Sequence, residues 1–212
     1  RPGVPRYRSN LVAAQTNIAQ VLYRRGDAVA AIEELSVALQ QVEALPDSPE
    51  KVEQDAYVRV TFGQILRDSG GDAANTENAF GTADELCTDL VQFRPDHSPY
   101  RVLHGEVKNN VGVHYLLGND LEKAEVAFTS ALADFGKALE LNKGDVAARH
   151  GRAWCLSYLA DTLYELSRKD EASKLYEEAI RSRAALCRDN PHNVEYQYAQ
   201  AWLLLTLSLI HI

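Results

Sequence analysis

The sequence predicts an all-α fold, an α-solenoid built from antiparallel helix pairs. Three observations predict it. A small–large–small pattern at helical spacing returns every 45 to 48 residues. A further small position, followed by a turn rich in Gly, Asp and Asn, precedes each copy. Proline or asparagine clusters then separate each copy from the next. Together they define four two-helix units and the start of a truncated ninth helix.

The clearest copies are DLEKAEVAFTSAL at 120–132 and DEASKLYEEAI at 170–180. Ala124, Phe128, Ala131 and Leu132 match Ala172, Tyr176, Ala179 and Ile180, 48 residues on. Thr76, Phe80, Ala83 and Asp84 stand 48 residues before the first set, and Ala31, Leu35, Ala38 and Leu39 another 45 before those. Steps of four, three and one put these side chains on one face of a helix. Small residues there admit a close neighbour, and the large one fills the space between.

The preceding pattern reads large–small–x–x–large: Ile18-Ala19 with Leu22, Phe62-Gly63 with Leu66, Val111-Gly112 with Tyr115, and Leu159-Ala160 with Leu163. The linking turns are Arg25-Gly26-Asp27, Ser69-Gly70-Gly71-Asp72, Leu117-Gly118-Asn119-Asp120 and Ser167-Arg168-Lys169-Asp170. Glycine accepts the left-handed backbone that closes one helix, and Asp caps the next. The fourth turn has no glycine. Pro46-Asp47-Ser48-Pro49, Arg94-Pro95-Asp96 and Asn190-Pro191-His192 end units, and Asn142-Lys143-Gly144-Asp145 does so without proline. The helices are therefore expected near 7–25 with 28–45, 50–69 with 73–93, 98–117 with 121–141, and 146–167 with 170–189. The ninth begins near Asn193, with Trp202 placed 48 residues after Trp154. The units span about 7–45, 50–93, 98–141 and 146–189, with a partial one at 193–206, and RPGVPR at 1–6 reads as a linker.

This arrangement resembles the tetratricopeptide repeat over residues 7–206, with NNVGVHYLLGNDLEKAEVAFTSAL (109–132) the nearest unit. The second unit departs most, with Gly81 inside its helix and Asp84 at an apolar position. The resemblance implies a right-handed superhelix whose first helices, the A helices, line its concave face. Units of about 48 residues instead of the usual 34 mean longer helices. With LVQFRPDHSPYR and LCRDNPHNVEYQY, this long form resembles repeat tails of bacterial serine/threonine protein kinases. No His-Arg-Asp, Asp-Phe-Gly or glycine-rich kinase loop is present.

Composition narrows the function classes. A net charge of −8 disfavours nucleic acid and anionic membrane as partners. Cys87, Cys155 and Cys187 form no Cys-x-x-Cys, which fits a reducing, cytoplasmic setting. The longest apolar run, AWLLLTLSLIHI, is short and interrupted for a membrane span. The six histidines form no His-Glu-x-x-His, and adjacent pairs such as Glu33-Glu34 and Glu177-Glu178 point apart on a helix. No Gly-x-Ser-x-Gly elbow occurs either. No catalytic residue, metal ligand or cofactor is expected, and the chain reads as a non-enzyme.

The resemblance assigns the groove to positions one turn from the small residue of each A helix. These give Gln20 and Tyr23, then Tyr57, Gln64 and Arg67, then Glu106 and Asn109, and last Trp154, Asp161 and Tyr164. Amides suit a peptide backbone and aromatics its side chains. Trp154 and Tyr57 have a plainer reading as packing between repeats. With Arg67 alone basic among the groove positions, a carboxylate clamp is not expected, and Glu106 and Asp161 favour a basic or neutral guest.

The leading expectation is a scaffold that binds a peptide or protein. The alternative is a regulatory tail of a larger bacterial enzyme, a kinase above all, and a third is a spacer or self-association module. The chain opens on Arg1 and contains no methionine, so it reads as a fragment. Leu207-Ser-Leu-Ile-His-Ile212 matches translation of a transposon-end sequencing adapter and reads as foreign to the protein.

Overall fold

The computed structural model describes residues 5–194, 196–201 and 205. Among them every regular element is an α-helix and no strand occurs. The chain divides after Pro95 into two compact units, Arg1–Pro95 and Asp96–Ile212.

In the first unit, α1 (Pro5–Arg24) pairs with α2 (Ala28–Glu43), and α3 (Pro49–Asp68) pairs with α4 (Ala73–Phe93). Helix α2 also packs on α3, and α1 lies beside α3. In the second unit, α5 (Ser98–Leu117) pairs with α6 (Leu121–Leu141), and α7 (Val146–Glu165) pairs with α8 (Lys169–Asp189). Here α6 packs on α7, and α5 lies beside α7. Residues 194, 196–201 and 205 are helical, where the ninth helix is expected. Trp202 and the segment 207–212 lie outside the described residues. Helix α1 starts at Pro5, inside the stretch read as linker; proline is tolerated in a first turn because its missing N–H has no intrahelical partner there.

The repeat positions occupy like surroundings. Ala31, Thr76, Ala124 and Ala172 are all buried, as are the large residues one turn on, Leu35, Phe80, Phe128 and Tyr176. Facing them are the small A-helix residues Ala19, Gly63, Gly112 and Ala160, also buried. Two of these must be glycine for space. A Cβ on Gly63 would come within 2.7 Å of the Phe80 ring, and one on Gly112 within 2.5 Å of Phe128. The pattern seen in the sequence is thus a set of ring-into-notch contacts that bring A and B helices together. Gly81 is exposed with open space around it, so the weak second unit loses no packing there.

The four A–B turns share one hydrogen-bond scheme. The N–H groups of Asp27, Gly71, Asp120 and Arg168 each donate five residues back, to Leu22, Leu66, Tyr115 and Leu163. Those of Gly26, Gly70, Asn119 and Ser167 donate three back. This double closure requires one left-handed residue. Gly26 (φ 87°) and Gly70 (φ 71°) supply it in the first two turns. In the third turn it is Asn119 (φ 59°), not Gly118, and in the fourth it is Ser167 (φ 63°). The scheme selects by distance from the helix end, and glycine is only its easiest occupant. Asp27, Asp72, Asp120 and, between units of the pattern, Asp145 cap the following helices through backbone N–H groups. Helix α8 instead starts after Arg168, with no side-chain cap, and Asp170 falls in its first turn.

Ser167 holds a backbone that costs an ordinary residue about 1–2 kcal/mol. Ser167→Gly is therefore expected to raise stability by about 0.5–1 kcal/mol, after the greater unfolded-state freedom of glycine is deducted. Urea unfolding of the two proteins side by side checks this; an unchanged or lower midpoint would contradict it.

Candidate functional site

In the first unit the groove positions lie on α1 and α3. Gln20 Nε2 donates to Tyr57 Oη at 3.1 Å, bridging the two neighbouring helices. Tyr57 keeps an exposed ring, and Gln20, Tyr23, Gln64 and Arg67 are half-buried. Burial, and then the Asp68 carboxylate, push the Tyr23 phenol above its ordinary value, with Arg67 opposing. Arg67 Nε donates to Asp68 Oδ1 at 2.7 Å, and its guanidinium lies 5.9 Å from the centre of the Phe80 ring. Phe80 belongs to α4, so Arg67 is drawn toward its own helix pair. Gln64 is already engaged in contacts of its own.

In the second unit, Glu106 and Asn109 stand one turn apart on α5, and Trp154, Asp161 and Tyr164 lie on α7. Burial, reinforced by the nearby Asp145 carboxylate, raises the Glu106 carboxyl to about 7. Asp145 is itself held by the Ala148 N–H and by Ser98 Oγ at 3.1 Å. The buried Oδ1 of Asn109 accepts no hydrogen bond.

Trp154 is largely taken up by packing. Its Nε1 donates to His150 Nε2 at 3.1 Å, its ring stacks on Tyr158 at 5.7 Å, and the Arg183 guanidinium lies 4.0 Å over it. Asp161 accepts from Tyr176 Oη at 2.5 Å, which ties it to α8. Burial raises the Asp161 carboxyl, against the lowering effect of that hydrogen bond. Tyr164 is half-buried, with Lys169 Nζ 5.3 Å from its ring centre. The two units thus differ. Gln20 and Tyr57 are brought together across α1 and α3, Glu106 and Asn109 along α5, while Trp154 and Asp161 turn into the packing of their own pair.

Two polar centres escaped the sequence reading. Asp134 of α6 is buried and carries three basic neighbours from α5: Arg101 Nη1 at 2.9 Å, Lys108 Nζ at 2.9 Å and His104 Nδ1 at 3.2 Å. These partners lie far away along the chain and follow no motif. Arg183 of α8 is also buried; its Nη1 donates to the Ala199 carbonyl at 2.9 Å and its Nη2 to Ser157 Oγ at 3.2 Å. Burial lowers its guanidinium to about 10, against the pull of Tyr158 and Asp161. A signal for it existed. In repeat register its place is held by Val42, Cys87 and Phe135, so an arginine there breaks an apolar column.

Among the described residues no three His, Cys, Asp or Glu side chains gather as a metal site, and no helix is long and apolar enough to cross a membrane. Residues 152–192, which cover most of α7 and all of α8, match a family model described as Tetratricopeptide repeat. That stretch is similar to the tetratricopeptide repeat. The match falls on the fourth pair, whereas the sequence pattern alone made the third the nearest unit.

Among solved structures, the chain is similar to BtubC (BKLC) from P. vanneervenii, with a TM-score of 0.64 and 21% identity. The alignment covers 83% of this chain and 64% of that one, so the chain spans under two thirds of its length. At this identity the likeness is one of fold. A thermophilic TPR protein from Thermus thermophilus aligns with a TM-score of 0.44 and 16% identity, over 92% of this chain and 99% of that one. A tetratricopeptide repeat protein from Parabacteroides merdae gives 0.35 and 17%, over 94% and 74%. These last two carry no further weight. No curated protein matches the sequence. The likeness to kinase repeat tails rests on the sequence pattern alone.

Proposed function

We propose that the repeats form a non-catalytic scaffold that binds an extended peptide or protein segment along the accessible sides of the A helices. The observation that carries this reading is the pair on α5. Asn109 presents a buried acceptor without a donor, one turn from a carboxyl group whose charge is balanced near neutrality. Buried acceptors normally find donors. Asn109 is half-buried, so a turn of its amide would present that oxygen to a peptide backbone N–H, and a lysine or arginine side chain suits the carboxyl. Gln20, Tyr57 and Gln64 add amide and phenol groups of the kind that hold a peptide in the first unit. All three cysteines are free thiols, which suits a reducing compartment.

The reading makes a pH-dependent prediction. Glu106 gains its charge as pH rises through about 7. Lysine-containing peptides selected from an array should therefore bind tighter at pH 8 than at pH 6, by up to about tenfold, the worth of one charge-assisted hydrogen bond. Glu106→Gln should abolish the difference, and Asn109→Ala should weaken binding at both pH values. Fluorescence anisotropy measures all three. Identical affinities for the parent and both variants would remove α5 from the binding face.

A further inference from the structure

A buried cation normally has an anion beside it. Arg183 is only 3% exposed, yet among the described residues no carboxylate pairs with it. Its Nη1 and Nη2 bonds go to neutral oxygens, the Ala199 carbonyl and the Ser157 hydroxyl. Its Nε is buried as well, with no acceptor among the described residues. Asp161 is the carboxylate whose charge acts on it, but that group is held by Tyr176 Oη.

The repeat register shows a rebuilt place and not an isolated exchange. Counting back 48 residues, Arg183 falls on Phe135, whose ring fills the space between Gly105 of α5 and Gly151 of α7. The residues around it differ together. His150 stands for Val102, Trp154 for Glu106 and Tyr196 for Ala148, while Ala153 and Ala199 replace the two glycines. Where the third pair has a solid apolar plug, the fourth has a cation among aromatic rings. The main packing partners of α6 are α5 and α7, not α8. By the same register, the place of Arg183 is enclosed by α7, α8 and the ninth helix and needs no further helix.

A small cavity lies against this guanidinium, walled by Arg183, His150, Trp154 and Tyr196 with Ala153 and Leu186. It has room for about one particle the size of a water molecule. The guanidinium lies 4.0 Å over the Trp154 ring, and His150 Nε2 already accepts from Trp154 Nε1. The wall therefore offers a positive charge and an unused N–H donor but, among the described residues, no negative charge. A water molecule would satisfy the donor and leave the charge uncompensated. Phosphate and sulfate are too large.

We infer that this cavity is a binding site for a single small monovalent anion, chloride in size and charge, held by the Arg183 guanidinium. Nε donates to the ion, and the ion offsets the cost of burying the guanidinium. Because Nη1 of the same group holds the Ala199 carbonyl, the ion stabilises the seat of the ninth helix on α7 and α8.

The test uses the full chain at fixed ionic strength, with sodium chloride replacing sodium gluconate, whose anion is too large for the cavity. The urea midpoint of the parent should rise with chloride and level off, as binding to the folded state alone requires. The midpoint of Arg183→Met should be independent of chloride. Methionine suits the place, since the register holds Val42, Cys87 and Phe135 there, and an apolar side chain in place of a buried charge is often neutral or stabilising. A second readout does not rely on that variant. Trp202→Phe leaves Trp154 as the remaining tryptophan. Bromide bound against it should quench its fluorescence saturably, and chloride should relieve the quenching by competition. Collisional quenching from solution is linear and is not relieved. Should one variant fail to fold, the readout that does not use it decides. The inference is overturned by a parent midpoint indifferent to chloride, by an equal chloride response in well-folded Arg183→Met, or by linear quenching that chloride leaves unchanged. Formate stabilising the parent where chloride does not would overturn it too, because the site would then take a carboxylate.

Discussion

Phe135→Ala is expected to destabilise the second unit by about 3–5 kcal/mol, the upper range for loss of a buried aromatic ring. The Phe135 side chain is completely buried. It is gripped by two glycines from different helices: a Cβ on Gly105 of α5 would come within 2.9 Å of the ring, and one on Gly151 of α7 within 2.5 Å. Those positions have no side chains that could swing into the space a smaller residue would leave. The hole therefore stays largely open, and the cost includes both lost burial and the cavity itself. Since whole domains are stable by only about 5–15 kcal/mol, this one change removes a large share. Urea unfolding followed by circular dichroism measures it. Phe135→Leu should fall between alanine and the parent. A loss below about 1 kcal/mol for alanine would show that the helices close over the gap.

Asp134→Ala is expected to cost about 3–5 kcal/mol, for an electrostatic reason instead of a steric one. The carboxylate sits almost wholly inside, with Arg101 and Lys108 on its two oxygens and His104 beside it. Removing it strands two cations that are mostly out of water and that repel each other. The loss should persist in high salt, because buried pairs are poorly screened. Lys108→Met in the Asp134→Ala background should recover some of the loss, since it removes one stranded charge. The double-mutant cycle would then report strong coupling. If Asp134→Ala unfolds at the same urea concentration as the parent, the cluster is no anchor between α5 and α6.

The helices were legible because their contacts are made by residues in register. Ala124, Phe128 and Ala131 recur as Ala172, Tyr176 and Ala179, and the same residues meet Gly112 and Ala160 across the pair. For α1 to α8, each predicted helix end lies within two residues of the observed one. The turns were legible in type but not in detail. Left-handed backbone is set by position after the last helical turn, so Asn119 adopts it where Gly118 was the expected device, and Ser167 adopts it in the turn that has no glycine. The candidate site was legible only as a set of positions. Periodicity says which side of a helix a residue occupies; it does not say what reaches over from the next helix. Arg183 covers Trp154, and Tyr176 takes hold of Asp161, so two groove candidates are committed to the packing of their own pair. The Asp134 cluster was illegible because its charges meet only once α5 and α6 pack.

In each unit, nearly every packing partner is the next helix along the chain or the one after it. Ordering one pair therefore closes only short loops before its contacts form, and chains dominated by such local contacts fold in roughly microseconds to milliseconds. The pair of α5 and α6, which holds Phe128, Phe135 and the Asp134 cluster, makes its contacts within one such hairpin. Emergence from the ribosome one hairpin at a time would suit such an architecture, because no segment has to wait for a distant strand before it can bury its apolar side.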